Sequence, residues 1–162
     1  MRIKQALLFG LILPLLLYAC QKRVYLDTVG CERLSQAALT ALPQTQDFEE
    51  YGELQRSLIL SDTCKNAQCR LFYSLPSKNI DELGILHGSS DEEAREIYWR
   101  AEAYLTDLQE NQSAFIASYA PEELPKLEHA EARRMGRYVI YAILSEEDKT
   151  AAFSAIEALL TP

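Results

Sequence analysis

Residues 90–121 read SDEEAREIYWRAEAYLTDLQENQSAFIASYAP, and this stretch predicts the long helix around which the rest of the chain is arranged. Ser90 and Glu93 form a capping box, and the acidic first turn lies where the helix dipole favours anions. Pro121 ends the helix. The stretch predicts about 29 helical residues and a length of roughly 43 Å. One apolar stripe at spacings of three and four is expected to face the core: Ala94, Ile97, Tyr98, Ala101, Tyr104, Leu105, Leu108, Phe115, Ile116 and Tyr119.

Two shorter helices are predicted before this stretch. Residues 31–42 carry apolar side chains at helical spacing, and Pro43 ends the first helix. Residues 48–58 repeat the spacing and predict a second short helix after Asp47. Both helices are expected to be amphipathic and to bury one side.

Two hairpins are predicted, one on each side of the long helix. Residues 70–75 and 82–87 predict the strands of the first hairpin, with a turn at residues 78–79. Residues 127–144 predict the second hairpin, with a turn near residues 134–136. Residues 138–144 are apolar on both alternating faces, which is typical of a central, fully buried strand.

The resulting order is α-α-β-β-α-β-β-α, because Ser145 and Asp148 cap a final helix. The predicted fold is a single α+β domain over residues 30–162. Two hairpins form an antiparallel four-stranded sheet, and the long central helix and the further helices pack on one face.

The N-terminus has the features of a lipoprotein signal. Arg2 and Lys4 precede an apolar run over residues 6–17, and Ala19 and Cys20 follow it. This order predicts cleavage before Cys20 and attachment of a lipid to its thiol. An uncleaved anchor, a secretory signal cut without lipidation and a buried helix of a cytosolic protein are the alternatives, and the two cations at the extreme N-terminus argue against the buried helix. For the anchor, about 14 apolar residues fall short of the ~20 that span a bilayer.

The predicted organisation is a signal peptide over residues 1–19, a lipidated tether over residues 20–29, and the domain. Its location is the extracytoplasmic face of the cell membrane, with the membrane as a partner through the lipid. The chain has 16 basic and 24 acidic residues. Two of the basic residues leave with the signal, so the mature chain has 14 against 24, a net charge of −10. Such a charge repels nucleic acid, which we exclude as a partner.

Three cysteines remain besides Cys20: Cys31, Cys64 and Cys69. An odd number outside the cytoplasm leaves at least one free thiol. Cys64 and Cys69 enclose four residues, so a small disulfide loop between them is one interpretation. Unpaired thiols are the second, and a metal site is the third, although a single C-x4-C spacing supports it poorly.

Eleven residues in three segments of the chain match the pattern of a known family: Glu82, Leu83, Gln112, Ile116, Tyr119, Pro121, Glu123, Gly136, Arg137, Tyr138 and Val139. With these residues the chain resembles the bacterial lipoprotein family described as domain of unknown function 4358, which is common in Clostridia and related Firmicutes. The resemblance covers roughly residues 30–160 and implies a membrane location and a single domain, but no activity. It departs at Leu108, where the family usually has an arginine.

Two groups of residues carry the histidines. His87 lies close to Ser89 at a strand-to-helix junction, but no sequence motif of a nucleophilic serine surrounds them. An N-cap and a strand end explain the same residues. His129 is the other histidine, and with His87 it would bind a divalent ion only if the two strands were adjacent. We therefore predict no metal, no cofactor and no catalytic residue.

The other candidates are basic or aromatic. Arg133, Arg134 and Arg137 form a basic cluster that could bind a phosphate or carboxylate, or be solvated at a hairpin tip. Tyrosines of the long helix could form a sugar-stacking surface but fit the core better. Trp99 lies one position off the apolar stripe and is expected to be partly exposed.

The leading hypothesis is a membrane-anchored, non-enzymatic binding or interaction module that contacts an envelope protein or wall ligand. The alternative is an envelope hydrolase that uses His87 and Ser89. A substrate-capture lipoprotein of a transporter is a third interpretation, but a single domain lacks the two lobes that close around a ligand.

Protein purified from its native membrane is expected to begin at Cys20 and to carry acyl mass. Intact-mass spectrometry with and without thiol alkylation tests this and counts the free thiols. A Cys20→Ala variant should keep its signal and show no acyl mass. A native chain that begins at Met1, or an unmodified Cys20, would contradict the lipid anchor.

Overall fold

A computed structural model of the chain describes residues 24–43, 47–53, 56–57, 67–75 and 79–162. The described helices are α1 (Cys31–Ala41), α2 (Asp91–Tyr119), α3 (Leu124–Glu128) and α4 (Glu146–Leu160). The described strands are β1 (Phe48–Glu50), β2 (Gln68–Ser74), β3 (Glu82–His87), β4 (Glu131–Met135) and β5 (Tyr138–Ile143), and a 3-10 turn, Pro121–Glu123, joins α2 to α3. The fold class is α+β.

The five strands form one antiparallel sheet in the order β1-β2-β3-β5-β4. The prediction of four strands was wrong, because Phe48 begins an edge strand and not a helix. Phe48 pairs with Ser74. Arg70 in β2 binds Glu50 at 2.6 Å, so charged side chains hold this short strand in register. Three residues are too few to show an alternating pattern.

Helices cover both faces of the sheet, which corrects the prediction of a single covered face. The physical reason is that β3 and β5 are buried on both alternating sides, so each side needs a helical layer. α1 and α4 pack with Leu83, Ile85, Tyr138, Ile140 and Ala142. α2 and α3 pack on the opposite face with Leu71, Leu86, Val139, Tyr141 and Ile143.

β5 is fully buried, as predicted, but the middle strand of the five is β3. The second hairpin turns at residues 136–137, slightly later than predicted, because Gly136 supplies a positive φ of 64°. Residues 127 and 128 belong to α3 and not to this hairpin.

α2 has the predicted 29 residues, and Ser90 accepts a hydrogen bond from the Glu93 amide. Its C-terminal part departs from the prediction: Phe115 and Tyr119 are 62% and 52% exposed. Ile116 in the same turns is buried against the sheet, so only one side of this part of the helix packs on the core. Phe115 and Tyr119 lie off that side and stack on each other, with ring centroids 5.6 Å apart. Trp99 is 68% exposed, as predicted.

Residues 24–29, assigned from the sequence to the tether, lie against the domain in the structure. The Leu26 amide donates to the Leu160 carbonyl at 2.7 Å, and the Tyr138 hydroxyl donates to the Val29 carbonyl at 2.6 Å. Asp27 bonds to His87 at 2.8 Å and also contacts Arg137. We call residues 24–29 the strap. It reaches the sheet at the His87 end of β3.

Gly84 allows a side chain of the neighbouring strand to lie against the backbone of β3. It pairs with Tyr141, and a Cβ at this position would lie 2.0 Å from Cε1 of the Tyr141 ring. The Tyr141 ring therefore lies across a backbone that has no side chain to exclude it.

Gly84→Ala is expected to lower the free energy of unfolding by about 2–3 kcal/mol, because the new methyl group overlaps a fully buried ring. Urea unfolding followed by circular dichroism measures the change. Gly30→Ala is the matched control, since a Cβ there meets no atom within 4 Å. Equal stabilities of the two variants would show that the Tyr141 ring can move aside.

Candidate functional site

Glu82 is a buried carboxylate at the first position of β3, with 6% of the residue exposed. Three tyrosine hydroxyls donate to it. Tyr141 of β5 bonds to Oε1 at 2.6 Å, and Tyr51 and Tyr104 both bond to Oε2 at 3.0 Å. The three tyrosines come from β5, from the residue after β1, and from α2. Glu82 therefore joins three separate elements through one side chain.

Burial determines which groups of this cluster, the Glu82 carboxyl or the tyrosine hydroxyls, carry protons. Burial raises the pKa of Glu82, although the three hydrogen bonds act in the opposite direction. Burial also raises the pKa values of Tyr51, Tyr104 and Tyr141, and the neighbouring Glu82 charge adds to each increase. The hydroxyls consequently stay protonated and direct their hydrogens at the carboxylate.

Asp81 is a second buried carboxylate beside the first, with 1% of the residue exposed. Its Oδ1 accepts a bond from Lys126 Nζ at 2.7 Å, and Lys126 also binds Glu123 at 2.8 Å. Burial raises the pKa of Asp81, and the Lys126 contact opposes this change. Among the described residues, three side-chain atoms are buried without a hydrogen-bond partner: Asp81 Oδ2, the Ser74 hydroxyl oxygen and Arg100 Nε. Buried polar groups in this state are uncommon and require an explanation.

A cavity of roughly 370 Å³ opens over these residues between the sheet and the C-terminal half of α2. Its volume falls within the range of about 300–1,000 Å³ that is usual for small-molecule sites. Ser74, Asp81 and Glu82 supply polar groups at the β2–β3 end of the sheet. The remaining wall is largely aromatic and aliphatic: Tyr51, Tyr73, Ile80, Tyr104, Leu108, Phe115, Ile116, Leu127 and Ile143, with Asn79 and Gln112 as amides.

The structure gives His87 and Ser89 separate partners. His87 Nε2 lies 2.8 Å from Asp27, and the ring stacks on Tyr138 with centroids 4.4 Å apart. Burial lowers the pKa of His87, although the charge of Glu93 raises it. The Ser89 hydroxyl donates to Glu93 at 2.5 Å. The base and the hydroxyl that the hydrolase hypothesis requires are each bonded to a different carboxylate.

The three predicted anion-binding arginines also have different partners. Arg133 binds Glu131 and lies 4.5 Å from the centre of the Phe153 ring. Arg134 lies 3.8 Å from the Asp91 carboxylate. Arg137 contacts Asp27 in the strap and donates to the Ser89 carbonyl at 2.5 Å. The cluster in the sequence is thus divided among three ion pairs.

His129 is exposed and lies before β4, whereas His87 ends β3. β5 separates these two strands, and the two histidines lie toward opposite ends of β5. Within the described part of the chain, no group of three or more His, Cys, Asp or Glu side chains is placed to hold a metal ion.

The cysteine predictions fall partly outside the described residues. Cys20 and Cys64 lie outside them, so the lipid and the Cys64–Cys69 disulfide remain predictions. Cys69 is half-buried and forms no disulfide with a described cysteine. Cys31 is a free thiol in the core, where burial raises its pKa to about 11 and makes it unreactive at neutral pH.

Comparison of the chain with protein-family models, curated proteins and solved structures gave no match. The resemblance to the domain of unknown function 4358 family therefore stays an interpretation of the sequence. Three of the residues that carry it, Glu82, Gln112 and Ile116, line the cavity. No helix among the described residues has the length and apolar character needed to cross a membrane.

No local pattern in the sequence indicates this site as a functional candidate. Tyr51, Tyr104 and Tyr141 are far apart in the sequence, and no local pattern connects them to Glu82. One signal was present: the acidic pair Asp81-Glu82 directly precedes an apolar strand that is expected to be buried. A carboxylate at such a position needs hydrogen-bond donors from elsewhere in the fold.

The raised pKa of Glu82 predicts a specific pH dependence of stability. Because folding raises this pKa above the unfolded value near 4.5, the native state holds a proton that the unfolded state releases. Compared with Glu82→Gln, the wild type should lose stability as the pH rises from 4.5 through the folded pKa. The expected loss is about 1.4 kcal/mol for each unit of increase in the pKa. Urea unfolding of both proteins at pH 4.5, 6.0 and 7.5 measures it.

Glu128→Gln, which changes an exposed glutamate, controls for the general effect of charge removal. A stability difference between wild type and Glu82→Gln that stays constant with pH would contradict the raised pKa.

Proposed function

We propose that the protein is a lipid-anchored, non-enzymatic binding module on the extracytoplasmic face of the cell membrane, and that it binds its ligand in the cavity beside Glu82. The observation that carries the proposal is the pair of buried, unpartnered polar atoms, Asp81 Oδ2 and Ser74 Oγ, on residues that line an open cavity. Both atoms have almost no exposed surface, so a ligand would reach them by displacing the side chains that cover them and would then provide the missing hydrogen bonds.

The anchor is supported by the order of Arg2, Lys4, the apolar run and Cys20, as argued from the sequence. The net charge of −10 after processing keeps the domain away from anionic headgroups, so the lipid is the contact with the membrane. An envelope protein or a wall component is the expected source of the ligand. Nucleic acid remains excluded on charge.

The position of the strap suits a site that faces outward. The strap reaches the His87 end of β3, and the cavity lies at the Glu82 end, five residues further along the strand. That separation is roughly 17 Å at about 3.3 Å per residue. The strap, the first described segment after Cys20 in the chain, therefore lies at the end of the sheet opposite the cavity.

If the ligand binds in the cavity, Gln112→Trp is expected to abolish that binding. Gln112 is exposed on α2 and lines the cavity, so an indole there fills the opening without disturbing the core. A fragment set with equal numbers of cations, neutral molecules and anions is screened by ligand-observed NMR against the detergent-solubilised full-length protein. At least one fragment should bind to the wild type and lose at least about tenfold in affinity in Gln112→Trp.

Asn111→Trp is the matched control, since Asn111 is the exposed neighbour on the same helix and does not line the cavity. It should bind like the wild type and corrects for partition of fragments into detergent. If no fragment of any charge depends on Gln112, the cavity is not a binding site and the proposed function fails.

A further inference from the structure

We infer that the ligand presents an organic ammonium group to Asp81 and Ser74, with an apolar body against the aromatic wall. This inference rests on the proposed function, since it names the chemical class of ligand for the same cavity. Three independent properties of the cavity lead to it: the balance of charge, the direction of the hydrogen bonds, and the composition of the wall.

The described residues that line the cavity carry a negative net charge. Asp81 and Glu82 both line it, and no lysine or arginine does so among the described residues. The nearest described cation in contact with these carboxylates is Lys126, which is held by Asp81 Oδ1 and Glu123 and also lies 3.4 Å from Asn79. One cation between two carboxylates leaves Glu82 without a counter-charge, and an anionic ligand would add to the repulsion.

The hydrogen bonds of the cavity leave acceptors and few donors. Tyr51, Tyr104 and Tyr141 direct their hydroxyl hydrogens at Glu82, so only the lone pairs of these oxygens are left for a ligand. The Tyr73 hydroxyl donates to Glu49 at 2.5 Å. Asp81 Oδ2 is a further acceptor without a donor. The donors in the lining are the Ser74 hydroxyl and the side-chain amides of Asn79 and Gln112. A ligand that donates hydrogen bonds satisfies Asp81 Oδ2, and an ammonium donates three.

The wall favours a cation with an apolar body. Tyr51 and Tyr73 pack with ring centroids 4.6 Å apart, and Phe115 lies on the opposite side in α2 with 62% of its surface exposed. Aromatic faces attract cations and also bury apolar groups. A volume of roughly 370 Å³ at the lower end of the usual range admits one small molecule or one terminal group of a larger one.

The test uses three probes of similar shape and different charge: 2-phenylethylamine, 2-phenylethanol and 3-phenylpropionate. Dissociation constants are measured at pH 7.5 by ligand-observed NMR on the detergent-solubilised full-length protein. Only binding that is lost in Gln112→Trp is counted, which removes partition into detergent. The amine is expected to bind at least about tenfold more tightly than the alcohol and the propionate.

Two variants locate the ammonium. Asp81→Asn should reduce amine affinity to the level of the alcohol, whereas Asp91→Asn, which removes an exposed carboxylate at the far end of α2, should not. Because Asp81→Asn also leaves Lys126 without one partner, its fold is checked by circular dichroism. Phe115→Lys is the second variant. It changes an exposed side chain of the wall, keeps the fold, and should weaken amine binding at least about fivefold by like-charge repulsion.

Alcohol or propionate that binds through the Gln112-sensitive site as tightly as the amine would overturn the ammonium assignment and leave the binding function intact. Amine binding that Phe115→Lys does not weaken would overturn it as well. Failure of the binding function has a different signature, because no fragment of any charge would then depend on Gln112.

Discussion

The arrangement of this domain depends on the hydrogen bonds that the buried Glu82 carboxylate accepts. A buried carboxylate without donors would cost several kcal/mol, so the fold must bring hydroxyl groups to it. Tyr51, Tyr104 and Tyr141 do so from three elements that are distant in the chain. The edge strand, the long helix and β5 are thereby fixed relative to β3. The cavity exists because these rings occupy only part of the space between the sheet and the end of α2.

Gly84 makes this arrangement possible at the level of the backbone. Glu82 and Gly84 point to the same face of β3, and Tyr141 pairs directly with Gly84. The Tyr141 ring crosses the position that a side chain would occupy, and its hydroxyl then reaches Glu82 at 2.6 Å. A residue with a Cβ at position 84 would lift the ring and leave one lone pair of the carboxylate unsatisfied. Position 84 must therefore lack a side chain so that the buried Glu82, two residues earlier, keeps its hydrogen bond from Tyr141.

Elements with a long local pattern could be predicted from the sequence. α2 begins at its capping box and has the predicted length, and β5 is buried on both faces because its residues are apolar without alternation. β1 could not be predicted, since three residues do not show a period and Phe48 fits a helical spacing equally well. The placement of helices on both faces follows from the burial of β3 and β5 together, which is a property of the sheet and not of any one segment.

The candidate site was harder to predict for a related reason. Its polar residues come from positions 51, 74, 81, 82, 104 and 141, and only the pair at 81 and 82 is adjacent. Sequence patterns instead draw attention to clusters such as Arg133, Arg134 and Arg137, whose charges each find a separate acidic partner in the fold. Only Arg133 pairs with a neighbour in the chain, Glu131, whereas Arg134 and Arg137 pair with the distant Asp91 and Asp27, so the sequence cluster does not show which charges remain free. Glu82, an acid in an apolar strand, instead receives its hydrogen bonds from tyrosines of other elements, and two of these tyrosines also line the cavity.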